Sequence, residues 1–210
     1  GTVTSALANG GWTGSVSALN ESWNGTSWTE VADLNTARQQ ASAGGESNTS
    51  AVIYAGYTAT ARTGITETWN GTSFTETGDM STAREYGQGG AGTTTSALAF
   101  GGEDPSARTA ATEEWTGAGA DIGAWATGGN INTARQRLAG SGTQTSALAY
   151  GGEAPPGALG IAESYNGSTW TEVADLNTAR KLLGGVGADG TSALAIGGAP
   201  GHAINEVWNG

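Results

Sequence analysis

The chain has no cysteine, one histidine, four prolines and eight basic residues against 19 acidic ones in a length of 210. Each scarcity excludes something. Without cysteine there is no disulfide, no thiol nucleophile and no thiolate metal site, and the redox compartment cannot be read. A single histidine cannot build a histidine-rich metal centre. A formal charge of −11 argues against nucleic acid, whose binding rests on phosphate neutralisation. No apolar run approaches the ~18 residues that a helical membrane span needs. No leader segment is visible, and Gly1 in first place suggests a processed or trimmed chain. Long aliphatic side chains are also few: Leu, Ile, Val and Phe total 27. That scarcity, with the charge, would suit a disordered chain. Eight Trp argue for a packed core, built from small residues and aromatics as flat sheets.

What is abundant is repetition. The phrase Thr-Ser-Ala-Leu-Ala begins at Thr4, Thr95, Thr145 and Thr191, with a variant at Thr49, so the spacings are 45, 46, 50 and 46. Thr-Ala-Arg ends at Arg38, Arg84, Arg135 and Arg180. A third phrase is centred on Trp23-Asn24-Gly25, Trp69-Asn70-Gly71, Tyr165-Asn166-Gly167 and Trp208-Asn209-Gly210, with Trp115-Thr116-Gly117 as a worn copy. Each unit reads as four short strands with period-two alternation. Asn-Gly is placed as a two-residue type I′ hairpin turn, which needs positive φ at both positions. Four antiparallel strands per ~45 residues, repeated radially, predict an all-β fold, a β-propeller. It forms one domain over 1–210, with repeats of about 1–38, 39–84, 85–135, 136–180 and 181–210.

The repeat resembles the kelch repeat. Gly151-Gly152, Tyr165, Trp170 and Arg180 carry the likeness in one copy, and Gly10-Gly11, Trp23, Trp28 and Arg38 in another. Gly101-Gly102, Trp115, Trp125 and Arg135 carry it with an insertion, while the second copy departs with Ala55-Gly56 and Phe74. The near-verbatim copies are also similar to repetitive kelch-like segments of phage and environmental-virus proteins, on phrases such as Trp23 to Glu30. In kelch order the strands of a blade run A (inner) to D (outer). The chain opens at B and closes at C. Five blades with incomplete first and last blades are expected; four closed blades with a spare hairpin, or one piece of a larger propeller, are the alternatives.

Recurrent aromatics are expected between blades: Trp23, Trp69, Trp115, Tyr165 and Trp208, with Trp28, Phe74, Trp125 and Trp170. Asn24 and Asn70 match a glycosylation sequon, which the turn already explains. Gly185 to Gly190 match a dinucleotide fingerprint, but a strand phrase follows where the fingerprint needs a helix. Arg38, Arg84, Arg135 and Arg180 are expected to ring one mouth of the central channel. They either bridge to a Glu or to carbonyls, or offer forked donors to a carboxylate or polyhydroxyl ligand.

The B-to-C loops differ in every copy. They hold all four prolines and the candidate ligand-binding residues Trp12, Tyr57, Arg62, Glu103, Asp104, Arg108, Glu153 and His202. Variable loops on a rigid repeated frame are where recognition is expected, drift at unconstrained loops being the alternative. The expectation is a non-catalytic binding or adhesion module, recognising glycan or protein, outside the cell or on a virion surface. The alternatives are a structural spacer or assembly subunit, with neighbouring chains covering the incomplete blades, and a glycan hydrolase using Glu103, Asp104 and Glu153. No cofactor, metal, nucleic acid or membrane insertion is expected. The kelch resemblance could imply a copper oxidase, but the cysteine and histidines of that site are missing.

Overall fold

The computed structural model describes residues 1–86, 89–117, 123–200 and 203–210. Among them there is no helix, and the strands form five antiparallel sheets with a small added hairpin. The first sheet is β1 (Ala6–Trp12), β2 (Val16–Trp23) and β3 (Trp28–Val31). The second is β4 (Ser42–Ser47), β5 (Ser50–Tyr54), β6 (Thr66–Trp69) and β7 (Phe74–Glu76). The third is β8 (Gly89–Gly92), β9 (Ser96–Phe100), β10 (Thr112–Thr116) and β11 (Ala124–Gly128). The fourth is β12 (Ala139–Thr143), β13 (Ser146–Tyr150), β16 (Ala162–Tyr165) and β17 (Trp170–Val173), with β14 (Glu153–Ala154) and β15 (Gly157–Ala158) as a hairpin in its B-to-C loop. The fifth is β18 (Gly184–Asp189), β19 (Ser192–Ile196) and β20 (Asn205–Trp208).

The three middle sheets are therefore complete A-to-D meanders. The first sheet has no A strand and the fifth no D strand, and no strand pairing joins those two sheets among the described residues. The inner strands β4, β8, β12 and β18 lie side by side in chain order. Glycine permits that approach: a Cβ on Gly44 would stand 3.1 Å from the Gly92 carbonyl of the next inner strand.

The core lies between sheets, as the recurrent aromatics predict. Trp69, Phe74, Trp115, Tyr165 and Trp170 are buried, and the aromatic rings meet in tilted or edge-on pairs such as Trp115–Trp125 and Phe100–Trp170. Trp28 departs from this expectation at 48% exposed, because no sheet covers its side of the first blade.

The hairpin turns also differ from the sequence reading. The C-to-D loops of the first, second and fourth sheets hold four residues, as in Asn70 to Ser73, and only the glycine has positive φ: 93° at Gly25 and Gly71, 92° at Gly167. The asparagine works through its side chain. Asn70 Oδ1 accepts the backbone N–H groups of Thr72 and Ser73, both at 2.9 Å, and Asn24 and Asn166 do the same. This Asx turn caps the loop without needing a second left-handed residue.

Candidate functional site

The four repeated arginines do not line a mouth. Arg38, Arg84, Arg135 and Arg180 are each 0% exposed. The inner strand starts about four residues later, so the side chain turns back under its own sheet. Each guanidinium meets the glutamate of that sheet's C strand: Arg38 with Glu67 at 2.5 Å, Arg84 with Glu113, Arg135 with Glu163, and Arg180 with Glu206 at 2.8 Å. The other carboxylate oxygen accepts from the segment before the arginine: from Asn35, Asn132 or Asn177 in three clasps, as Glu67 Oε2 does from Asn35 N at 2.7 Å and Asn35 Nδ2 at 2.8 Å, and from Ser81 N at 2.7 Å in the Arg84 clasp. Terminal guanidinium nitrogens also donate to carbonyls, for example Arg84 Nη1 to Ala111 at 2.8 Å and Arg180 Nη1 to Gly197 at 3.0 Å, and at Arg135 Nε donates to Gly151 at 3.0 Å. Nε of Arg38, Arg84 and Arg180 finds no hydrogen-bond partner, but all four guanidinium groups are sealed from solvent and ion-paired, which removes them from the candidate ligand set. Among the described residues the first sheet shows no such clasp, and its Glu21 is exposed.

A second set of arginines is half-exposed: Arg62 and Arg108 on B-to-C loops, and Arg137 just before the inner strand β12. Arg62 lies 2.9 Å from Glu85 and 2.6 Å from Glu103, so two of the loop candidates meet. Glu153 gathers Arg137 at 3.0 Å, Arg108 at 3.8 Å, Gln136 Nε2 at 2.9 Å and the Lys181 ammonium. The Lys181 contact leads in holding the Glu153 carboxyl below the usual carboxylate range, with burial opposing. Glu85 moves the other way: burial raises it, and the Arg62 charge only partly compensates.

Tyr86, Arg137 and Lys181 escaped the sequence reading. Tyr86 lies under two guanidinium groups, Arg137 at 5.2 Å and Arg62 at 6.0 Å from the ring centroid. It occupies the place two residues past Arg84. At that place in each repeat stands a non-glycine residue with left-handed backbone: Gln40, Tyr86, Arg137 and Leu182, with φ of 55°, 63°, 56° and 57°. Three of them are tied together, Leu182 N donating to Arg137 O at 2.9 Å and Arg137 N to Tyr86 O at 2.8 Å. Such strain, of order 1–3 kcal/mol per residue, persists only where surrounding structure enforces it, and it concentrates at functional places. The signal available in the sequence was that these four residues differ from one another within an otherwise repeated phrase.

The remaining candidates fall as follows. Trp12 is 63% exposed, but it closes strand β1 opposite Val16 rather than lying in the loop. Tyr57 is half-buried and bridged on both sides, to Gln39 and Arg62. Asp104 Oδ1 caps its own loop, accepting from Ser106 N at 2.7 Å and Ala107 N at 3.0 Å. Glu103, Asp104 and Glu153 thus each have separate partners. His202 lies outside the described residues. Among the described residues no three His, Cys, Asp or Glu side chains converge as a cation site. Gly185 to Asp189 lie within strand β18, not in a loop opening a helix.

These sheets define an all-β chain of five propeller blades, the first and last lacking one strand each. The chain is similar to a solved structure, "Structure of YjhT", with a TM-score of 0.78 at 12% identity, over 96% of this chain and 76% of that one. At that identity the likeness shows the fold alone. No protein-family description matches the sequence, and no curated protein matches it.

Proposed function

We propose that this propeller is a non-catalytic binding module. It engages a glycan or a protein surface through the face that carries the B-to-C loops and the Tyr86 cluster. One observation carries the reading: an aromatic ring with two half-exposed guanidinium groups over it, at a strained backbone position whose residue differs from blade to blade. A tyrosine ring stacks on sugar or peptide planes, and flanking arginines supply forked donors to hydroxyl or carboxylate oxygens. The mouth carries Arg62, Arg108, Arg137 and Lys181 against Glu85, Glu103, Asp104 and Glu153. That balance suits neutral or singly acidic ligands better than polyanions. Exposed Trp12 adds a second flat surface.

The kelch likeness and the phage-like phrases belong to this proposal too, and favour a place outside the cell or on a virion surface. The test is a glycan array and a surface-attachment assay on wild type beside a Trp12→Ala, Tyr86→Ala double variant. Attachment should be lost with the melting curve unchanged. Normal attachment by that variant, with loss on changing Asn70-Gly71, would place recognition on the opposite face. The spacer alternative draws on the uncovered blade faces, and gains if no loop variant alters attachment.

A further inference from the structure

Two arginines stand at the same place in successive B-to-C loops, Arg62 bridged to Tyr57 and Arg108 bridged to Glu103 through the backbone. Their side chains meet different surroundings in the following blade. Arg62 is clamped by two carboxylates, Glu85 at 2.9 Å and Glu103 at 2.6 Å. The residues corresponding to that pair beside Arg108 are Gln136 and Glu153, which the same kind of backbone bridge joins. Arg108 therefore lacks one carboxylate and lies 3.8 Å from the other, beyond hydrogen-bond reach. Its Nε is buried and has no partner. Glu153 is already engaged by Gln136 Nε2 at 2.9 Å, by Arg137 at 3.0 Å and by the Lys181 ammonium. The charge balance thus reverses between the two places. At Arg62 one cation faces two carboxylates, while at Arg108 three cations face one. A cavity of about 240 Å³ opens there, lined by Arg108, Glu153, Ala154, Pro155, Pro156 and Gly157.

We propose that this cavity binds the phosphate monoester of a sugar, with Arg108 as its principal donor. The Nε–Nη side of a guanidinium presents two parallel N–H groups, the fork that phosphate oxygens accept. A phosphate monoester carries about −1.5 to −2 charge at pH 7 and three acceptor oxygens, which answers three cations less one carboxylate. Arg137 and Lys181 act from behind: they neutralise Glu153, which would otherwise repel an anion beside Arg108.

The rest of the wall favours a sugar over a phosphorylated peptide. Ala154 and Gly157 already pair with each other in the β14–β15 hairpin. Pro155 and Pro156 have no backbone N–H to donate. An extended peptide finds few main-chain partners there, whereas a compact ring packs against the pyrrolidine faces. This inference rests on the mouth reading above and narrows it to one ligand class: a single anionic group on a sugar, placed at the cationic half of a mouth whose other half, around Arg62, is anionic.

The test is isothermal titration of the 210-residue protein with glucose-6-phosphate, glucuronate and glucose, which carry a phosphate, a carboxylate and a hydroxyl at the same end of one sugar. Affinity should fall in that order, glucose-6-phosphate binding at least about tenfold more tightly than glucuronate. Arg108→Gln should weaken glucose-6-phosphate by about tenfold or more, and Lys181→Gln by less, since it acts through Glu153. Gln136→Glu installs the carboxylate that Glu85 supplies to Arg62 and should abolish binding with no fall in melting temperature. Equal affinity for the three sugars, or unchanged glucose-6-phosphate binding in both Arg108→Gln and Gln136→Glu, would overturn the proposal. So would a phosphoserine tripeptide or inorganic phosphate binding as tightly as glucose-6-phosphate, since the sugar would then contribute nothing. Attachment to neutral glycans without glucose-6-phosphate binding would overturn this proposal and leave the mouth reading standing. Failure of the mouth reading shows differently, as normal attachment by the Trp12→Ala, Tyr86→Ala variant.

Discussion

The protein uses arginine–carboxylate pairs in two regions, and the contrast between them is instructive. In the clasps, the guanidinium is fully buried, repeated in four sheets, and joined to a glutamate whose other oxygen is also hydrogen-bonded. At the mouth, Arg62, Arg108 and Arg137 are half-exposed and differ in sequence context; Arg108 and Arg137 share Glu153, while Arg62 spans Glu85 and Glu103. The same chemistry is scaffold where water is excluded and an adaptable surface where water competes. Burial decides which, because an unpaired charge is costly in the interior and cheap at the rim.

The largest expected effect breaks a clasp. Arg135→Met should destabilise by about 3–5 kcal/mol in urea titration, because Glu163 is left charged and buried. Adding Glu163→Gln should recover part of that loss; a loss under ~1 kcal/mol for the single change would deny the clasp its scaffold role. Next comes the aromatic layer. Trp115→Ala should cost about 3–5 kcal/mol, and Trp28→Ala under ~1, since the first ring is enclosed and the second stands half in water.

Acid should separate the two kinds of carboxylate by sign. Glu153 titrates below its ordinary 4.5 when folded, so its stabilisation is present above that value and disappears as pH falls through the folded pKa. Glu206 behaves the same way: burial opposes, but the N–H donors of Asn177 and the Arg180 charge hold it down. Glu85 is raised, so its ionisation costs stability at neutral pH and protonation relieves that cost. Melting temperature measured downward from pH 6 should therefore fall less steeply in Glu153→Gln than in wild type, and more steeply in Glu85→Gln.

At the mouth, Arg137→Ala should change stability by under ~1 kcal/mol, because its partner keeps other cations and water reaches the site. The same change should weaken ligand attachment, and a stability loss as large as at a clasp would erase the contrast. The smallest effect concerns Ala55, which adopts φ 58° where the other copies place Gly10, Gly101, Gly151 and Gly197. Ala55→Gly should stabilise by up to ~1 kcal/mol through relief of strain. Gly151→Ala should do the reverse, since its Cβ would stand 2.6 Å from the Arg180 carbonyl. Equal melting curves for the two would show that backbone conformation is not limiting there.

Much of this was legible in the sequence, for a physical reason. Period-two alternation and a fixed repeat interval report local pairing, so the strand order, the meander and the aromatic layer followed from residues such as Ala97 to Phe100 and Trp115. The Asn-Gly phrases marked the turns correctly, but their geometry rests on the Asn70 side chain bonding two residues ahead, which composition does not encode. The fate of the four repeated arginines was open, because an arginine at a strand entrance can turn into the sheet or out to the channel. Tyr86 meets Arg62 and Arg137, and Lys181 meets Glu153, across blades, and Arg137 reaches Glu153 only across the fourth blade's inner hairpin, at separations in sequence that no local pattern links.

Two segments with one sequence mark the boundary. Trp28 to Val31 and Trp170 to Val173 both read Trp-Thr-Glu-Val, and both form the outer strand of a blade, β3 and β17. The sequence determined that much: the strand, its pairing partner, and the aromatic at its start. Yet Trp28 is 48% exposed and Trp170 only 6%. Trp170 lies on a preceding sheet, against Phe100, while Trp28 has none beneath it. Strand formation depends on neighbours a few residues away, whereas burial depends on which surface arrives to cover the face, and only the tertiary structure supplies that.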